Sequence, residues 1–440
     1  MSKKIFWPTI LFVIAISAAI GLLAPTSHNA AARAIGEIAP VSDVWRAALP
    51  HDPAAATDAY MARISPAAKA RSDAYFEGGY WLTLWDLVMT LVASWLLLTS
   101  GVLARLRDKL EQRSRSKGLL VLVMGLGYIL LSTLISLPLT VYQGFYREHE
   151  YGLANQTLLP WLGEQAIATA VACIIGPLFL ALIYWVIRRA PKTWPVWGAV
   201  VTVGFMSFMM LLGPVYIDPL FNTYKPITDE KIKQPILSMA RANGVPTDNV
   251  YEFDASKQSN RISANVSGIF GSAAVRMNDN LLKRTTLPEI KGVLGHEIGH
   301  YVLDHIYTGI IEFGIILVVG FAFLHWALRY SITRWGQQFG IRDASDPLGL
   351  PLVVGIFSIY MFAATPVLNT MTRVQEAQAD AFGLNASQEP DGFAEVDLKL
   401  TEYRKSNPGD LEEFFFFDHP SPKKRIFASM RWKAEHLKLD

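Results

Sequence analysis

Gly295-His296-Glu297-Ile298-Gly299-His300 carries a His-Glu-x-x-His pattern within Leu287 to Asp304, a stretch that reads as one helix. Residues four apart on an α-helix share a face, so His296 and His300 can offer imidazole nitrogens to a single zinc ion. Glu297 falls one position round the helix, beside the open coordination position and outside the ligand set. There it is placed to take a proton from the attacking water and later hand it to a leaving amine. A catalytic zinc needs three protein ligands, so a distant partner is required. The candidate stretch is Arg373-Val374-Gln375-Glu376-Ala377-Gln378-Ala379-Asp380. Glu376 is the candidate third ligand. Asp380, four residues on, shares its face and can accept the free N–H of a zinc-bound histidine.

The chain around these motifs is apolar. Of its 440 residues, 51% are hydrophobic and only 18% charged, and the mean hydropathy is +0.26. That balance indicates a membrane protein. A net charge of +2 gives no case for nucleic-acid binding. The single cysteine, Cys173, excludes both an intrachain disulfide framework and a multi-cysteine zinc site.

Lys3 and Lys4 precede an apolar run from Ile5 to Leu23, long enough to span a bilayer. It reads as a first transmembrane helix; the alternative is a signal peptide cleaved near Asn29-Ala30-Ala31. Residues 25–80 read as helices in an extramembrane loop or cap. Apolar runs at about 81–103, 119–142, 166–187 and 195–217 bring the spans of residues 1–217 to five. Residues 218–305 have the composition of a soluble segment. Leu237 to Asn243 predicts a helix, Asn249 to Phe253 a strand and Val266 to Met277 one or two strands. Two further runs lie within 306–371, and residues 372–440 are helical and charged. The expected fold is mainly α: a polytopic bundle of about seven transmembrane helices, with a zincin-like α+β metalloprotease domain split around the last two. Asp86 and Glu312 fall within predicted spans, where an ionisable group must face protein or water.

Beyond the zinc helix, the sequence resembles the type I CAAX prenyl endopeptidases, integral-membrane zinc proteases. Glu376-Ala377-Gln378-Ala379-Asp380 is similar to the family's Glu-aromatic-Gln-Ala-Asp motif, with Ala377 in the aromatic place. Tyr216 to Pro226 resembles its Pro-Leu-Phe-Asn segment, and Glu148 to Thr157 its acidic, glycine-centred loop. Phe414 to Phe417 followed by Asp418-His419-Pro420 resembles its C-terminal His-Pro motif. The resemblance covers roughly residues 75 to 430. It implies one zinc per chain, a water-filled chamber between the helices, and a prenylated C-terminal tail or other membrane-associated peptide as substrate. It also makes His419 and Arg425 candidates for stabilising the tetrahedral oxyanion, with Arg373 close by in the motif map. Ser263 to Gly268 is similar to the family's substrate strand. Its Asn-Ala-Tyr reads Ser263-Ala264-Asn265 here, so main-chain pairing is expected along Ser263, Ala264, Asn265 and Gly268. His305, matched by a family histidine, is expected to make a structural hydrogen bond and stay out of the metal set.

Lysines and arginines in short loops face the cytoplasm. Arg105, Arg107, Lys109, Arg113, Arg115 and Lys117 crowd one loop, whereas loop 144–164 has only Arg147. The basic loops then put the catalytic opening away from the cytoplasm, whereas the resemblance implies the cytosolic face in eukaryotic relatives. The expected location is a bacterial inner membrane rather than the endoplasmic reticulum. Three other classes compete. A membrane quality-control protease shares the zinc set but usually has fewer spans, a transporter leaves the motif unexplained, and an inactive zinc scaffold has no need of Glu297.

Overall fold

The computed structural model describes residues 3–24, 38–267 and 273–437. The proposed cleavage region at Asn29-Ala30-Ala31 and the strand residue Gly268 lie outside them. In chain order the helices begin with α1 (Lys3–Leu22), α2 (Asp43–Ala47), α3 (Pro53–Met61), α4 (Pro66–Thr99), α5 (Val102–Arg113) and α6 (Lys117–Val141). They continue with α7 (Arg147–Glu150), α8 (Leu158–Arg189) and α9 (Trp194–Leu212). Among the described residues, six helices are long and apolar enough to cross a membrane: Pro66–Thr99, Lys117–Glu150, Leu158–Arg189, Trp194–Leu220, His305–Phe339 and Pro347–Ser387. The expected seventh, the first apolar run, forms α1. Its described apolar part, Ile10–Leu22, is a shorter helix and packs along α6.

Between the fourth and fifth of these spans the chain builds a small α+β unit. It comprises β1 (Tyr224–Pro226), α10 (Glu230–Ala242), β2 (Val250–Phe253), β3 (Ala264–Ser267), β4 (Ala274–Asn278) and α11 (Asp279–Arg284). The strand order is β1-β2-β4-β3, with β2 and β4 parallel and the outer strands antiparallel to their neighbours. The expected strand region from Val266 to Met277 is thus two strands, and the expected helix at Leu237 begins seven residues earlier. β3 sits at the edge, and among the described residues no other strand pairs with its second side.

The motif helix, α12 (Leu287–Val302), starts on a capping box in which the Thr286 N–H donates to Glu289 at 3.3 Å. Ile290, Leu294 and Ile298 recur every four residues and bury one face against Val250, Val275 and Met277 of the sheet. After α12 only Leu303 and Asp304 intervene before α13 (His305–Phe339), Asp304 taking a left-handed conformation with φ 56°. The chain then forms α14 (Leu350–Ser387), α15 (Pro390–Leu400), α16 (Asp410–Phe416) and α17 (Pro422–His436).

Residues 38–65 are not a detached loop. Ala56 and Tyr60 of α3 share a core with Ala394 and Leu398 of α15 and Ile426 and Met430 of α17. Tyr60 Oη donates to Asp391 at 2.9 Å, and Arg63 pairs with Glu395 at 2.6 Å. α4 runs from this end through 34 residues, about 50 Å at 1.5 Å per residue, to the basic loop. At that far end Arg107 is buried against Asp346 at 2.7 Å, and Arg342 clasps Glu111 with two bonds of 2.7 Å. Lys109, Arg113, Arg115 and Lys117 are exposed there. The basic loop and the motif helix therefore occupy opposite ends of the bundle.

α12 meets α14 through backbone. A Cβ on Gly295 would lie 2.9 Å from the Gly383 carbonyl oxygen, and one on Gly383 would lie 2.7 Å from the His296 nitrogen. Gly383→Ala should therefore lower the thermal midpoint in detergent, costing about 1–3 kcal/mol, and reduce bound metal. Gly163→Ala, with nothing within 4 Å of the added carbon, should change neither. A Gly383→Ala protein with unchanged midpoint and metal content would refute the close-contact argument.

Candidate metal centre and active site

The glycine contact sets His296 and His300 of α12 against Glu376 and Asp380 of α14. His296 Nε2 and His300 Nε2 are 3.1 Å apart. Glu376 Oε2 is 3.1 Å from the first, and its Oε1 is 3.4 Å from the second. The three groups could hold one metal ion, their ligand atoms all within 4.8 Å of one another. Atoms at 2.0–2.1 Å from a tetrahedral zinc are about 3.4 Å apart. Glu376 Oε2 is buried without a hydrogen-bond partner, close to two ring nitrogens yet not aligned for a bond. An orphaned acceptor facing imidazole nitrogens suits a bound cation. The residues present thus fit the group that the motif implies.

The far ring nitrogens are both held. His296 Nδ1 donates to Asp380 at 2.8 Å. His300 Nδ1 lies 2.8 Å from His305 Nδ1, and His305 Nε2 lies 3.1 Å from Gln378 Oε1. His305 thus makes the structural contact expected of it, with His300 as its partner. Burial pulls the His296 pKa down, but Asp380 and Glu376 outweigh it and lift the value to about 10. The pocket is therefore one that strongly attracts positive charge, whether proton or metal ion. Burial pushes the Glu297 carboxyl above its usual range, the direction that suits a group passing a proton both ways near neutrality.

His296, Glu297, Ser263, Ala264, His419 and Arg425 line one cleft of about 180 Å³. His419 Nε2 reaches within 3.3 Å of Glu376 Oε2, while its Nδ1 is held by Asp418 at 2.8 Å. Arg425 lines the cleft from behind His296. Its Nε donates to Asp380 at 2.8 Å, and its Nη1 pairs with Asp397 at 2.8 Å. The guanidinium is engaged by two buried carboxylates behind His296, so it holds the group that holds His296. Arg373 is away from the metal. It donates to the carbonyls of Glu413 and Phe417 and so ties α14 to α16. Glu312 accepts from Gln375 at 2.8 Å and so faces protein, whereas Asp86 is exposed.

Ser263 is exposed at the approach to β3, Ala264 and Asn265 lie within it, and Asn265 Oδ1 is buried without a partner. The landmark segments converge on the loop that leads into that strand. Asn155 donates to Ser256 O, Asn260 Nδ2 to Gly152 O, Asn222 to Gln258, and Arg261 to Glu148. Sequence reasoning missed Asp397, Tyr403 and Arg404, which line the same cleft. Asp397 lies on an otherwise ordinary amphipathic helix, and the other two follow it in a turn, so neither spacing nor composition marks them.

Known proteins carry the same plan. Residues 51–223 match the family described as CAAX prenyl protease N-terminal, five membrane helices, and residues 226–433 match Peptidase family M48. The chain is 30% identical to the uncharacterized metalloprotease YhfN of Bacillus subtilis, over 75% of this chain and 78% of that one. It is 28% identical to CAAX prenyl protease 1 of Saccharomyces cerevisiae, over 68% and 69%. The crystal structure of S. mikatae Ste24p shares its fold at 21% identity, with a TM-score of 0.61 over 96% of this chain and 99% of that chain. The chain belongs to the M48 peptidases of type I CAAX prenyl protease kind: it is an integral, multi-pass membrane metalloprotease acting on peptide or protein substrates.

Asp380→Asn should keep the fold yet weaken metal binding roughly 10–100-fold, because the amide holds His296 less firmly. Competition with a chelator measures this. Unchanged affinity would remove Asp380 from the metal's support.

Proposed function

We propose that this M48 peptidase is a zinc metalloendopeptidase, with one Zn2+ held by His296, His300 and Glu376, that cleaves the C-terminal tails of prenylated or other membrane-associated peptides. One observation carries the reading. The cleft containing Glu297 shares Tyr403 and Arg404 with a second, mainly apolar cavity of about 680 Å³. That cavity is walled by Phe76 and Tyr80 of α4, Phe362 and Pro366 of α14, and Phe415 and Phe416. A chamber between membrane helices suits a substrate that is part peptide, part hydrocarbon.

When bound, the ion supplies Lewis-acid polarisation of the scissile carbonyl and an acidified water. Glu297 takes the proton of the attacking water and delivers it to the departing amine. His419, facing the cleft next to Glu376, is the residue suited to the developing oxyanion. Asp380 fixes the His296 ring, and Arg425 and Asp397 fix Asp380. The substrate backbone pairs with the free edge of β3 through Ser263, Ala264 and Asn265. These contacts support the zincin-like arrangement split around α13 and α14. A broad-specificity quality-control peptidase is the second reading, since it would share the same zinc set of His296, His300 and Glu376.

Glu297→Gln should retain zinc while turnover falls by a factor of hundreds or more. Zinc content and hydrolysis of farnesylated and unmodified peptides, measured on the same preparations, test the whole reading. Near-normal turnover in the variant would remove Glu297 from the mechanism, and equal cleavage of both peptides would favour the quality-control reading.

The basic far end also supports an orientation with the active site away from the cytoplasm, in a bacterial inner membrane. In a Cys173→Ala background, a cysteine at Asn407 should react with an impermeant reagent outside intact cells, and one at Ser114 should not. The reverse pattern would overturn this orientation.

A further inference from the structure

α9 and α13 pack closely over most of their length and part toward the metal. A Cβ added at Gly198 would touch the Phe321 ring at 3.5 Å, and one at Gly314 would touch Val203 at 3.5 Å. At Gly309, nearer the metal, an added Cβ would meet nothing of α9 within 4 Å. The gap is a pocket of about 210 Å³ lined by Met206, Ser207 and Met210 of α9 and by His305, Gly309 and Ile310 of α13. Ser207 and His305 are the only polar side chains in its lining. Both ring nitrogens of His305 are engaged, by His300 at 2.8 Å and Gln378 at 3.1 Å, so the ring has only carbon edges left for the pocket. Water there would find one hydroxyl, fewer partners than a buried water needs. Hydrocarbon suits the lining, and the two methionines can adapt to it.

The surroundings of the pocket name its occupant. Both walls belong to membrane-spanning helices. Met206, Phe208 and Met210 on one side and Ile311 and Ile315 on the other are exposed, so the mouth opens sideways into the bilayer. No lining residue is shared with the catalytic cleft or the apolar chamber. We infer that the pocket binds one acyl chain of a phospholipid from the leaflet on the catalytic side, and that this chain braces His305 and through it His300. An empty gap would leave the imidazole without dispersion contacts on that side, whereas a seated chain restores them. The site itself is independent of the peptidase reading; the bracing rests on His300 being a metal ligand.

Photolabelling tests the site without turnover. The full-length protein is placed in phosphatidylethanolamine–phosphatidylglycerol vesicles doped with a phosphatidylcholine carrying a diazirine on one acyl chain, irradiated, and its adducts mapped by mass spectrometry. Adducts at Met206, Met210 and Ile310 should exceed severalfold those at Ile315 and Val319, which face the bilayer openly. Gly309→Leu and Ser207→Phe fill the pocket from opposite walls; each should abolish the excess and leave Ile315 labelled as before. Even labelling along α13, an excess that survives both variants, or its displacement by an S-farnesyl peptide would overturn the site, the last by assigning the pocket to substrate. Competition with a chelator reads the bracing. Stripping lipid from the unaltered protein should weaken zinc binding about fivefold, short of the roughly 10–100-fold cost of losing such a partner outright, and added lipid should restore it. In Gly309→Leu, whose own side chain takes the place of the acyl chain, zinc binding should not respond to lipid. Lipid-independent zinc binding in the unaltered protein, or a filled variant that stays lipid-sensitive, would overturn the bracing. Either filled variant carries the test if the other does not fold. Absence of peptide hydrolysis would count against the peptidase reading alone, since the labelling needs no catalysis.

Discussion

The approach of two backbones at Gly295 and Gly383 is the constraint on which the site depends. Ligands on one helix need only correct spacing, but the third ligand lies 76 residues beyond His300, across two membrane helices. The two helices can bring ring nitrogens and a carboxylate to within 3.1–3.4 Å only if neither carries a side chain at the crossing. The same face of α12 has Gly292 against Phe393 and Gly299 against Ala379. Its opposite face, Ile290, Leu294 and Ile298, fixes the rotation by burying itself in the sheet core. The histidines lie between these stripes, so their aim follows from packing on both sides.

Behind the ligands lies a row of buried charge, His296, Asp380, Arg425 and Asp397. Burying ions is expensive, and removing one member of such a row typically costs about 3–5 kcal/mol, because the partner is left unpaired. Its value here is positional: the guanidinium receives two carboxylates, and the nearer one has an oxygen for the imidazole. Arg425 holds Asp380, which holds His296, so a change there would be read at the metal.

The HExxH helix, Glu376, Asp380 and the membrane character were legible because each rests on periodicity or on residue chemistry at short range. The strand pair within Val266 to Met277 was legible for the same reason. What was not legible depends on contacts distant in sequence. Arg425 carries the charge expected of an oxyanion group, and only the fold reveals that two aspartates hold it. The 38–65 segment reads as a polar cap, but its apolar residues, Ala56 and Tyr60, find their partners more than 300 residues away.

The two-residue junction at Leu303 and Asp304 leaves no slack between α12 and α13. α13 is 35 residues long, about 50 Å, and behaves as a lever whose short end carries the site. A one-degree tilt about its far end displaces His305, whose ring contacts that of His300, by about 1 Å, several times the tolerance of roughly 0.2 Å in the distance of a ligand such as His300 from a metal. α13 and α14 must therefore lean together, as the Tyr360 hydroxyl bonded to the Ile316 carbonyl at 2.7 Å already requires of them midway. The bilayer's thickness and the metal's coordination sphere are thus joined through one rigid pair of rods.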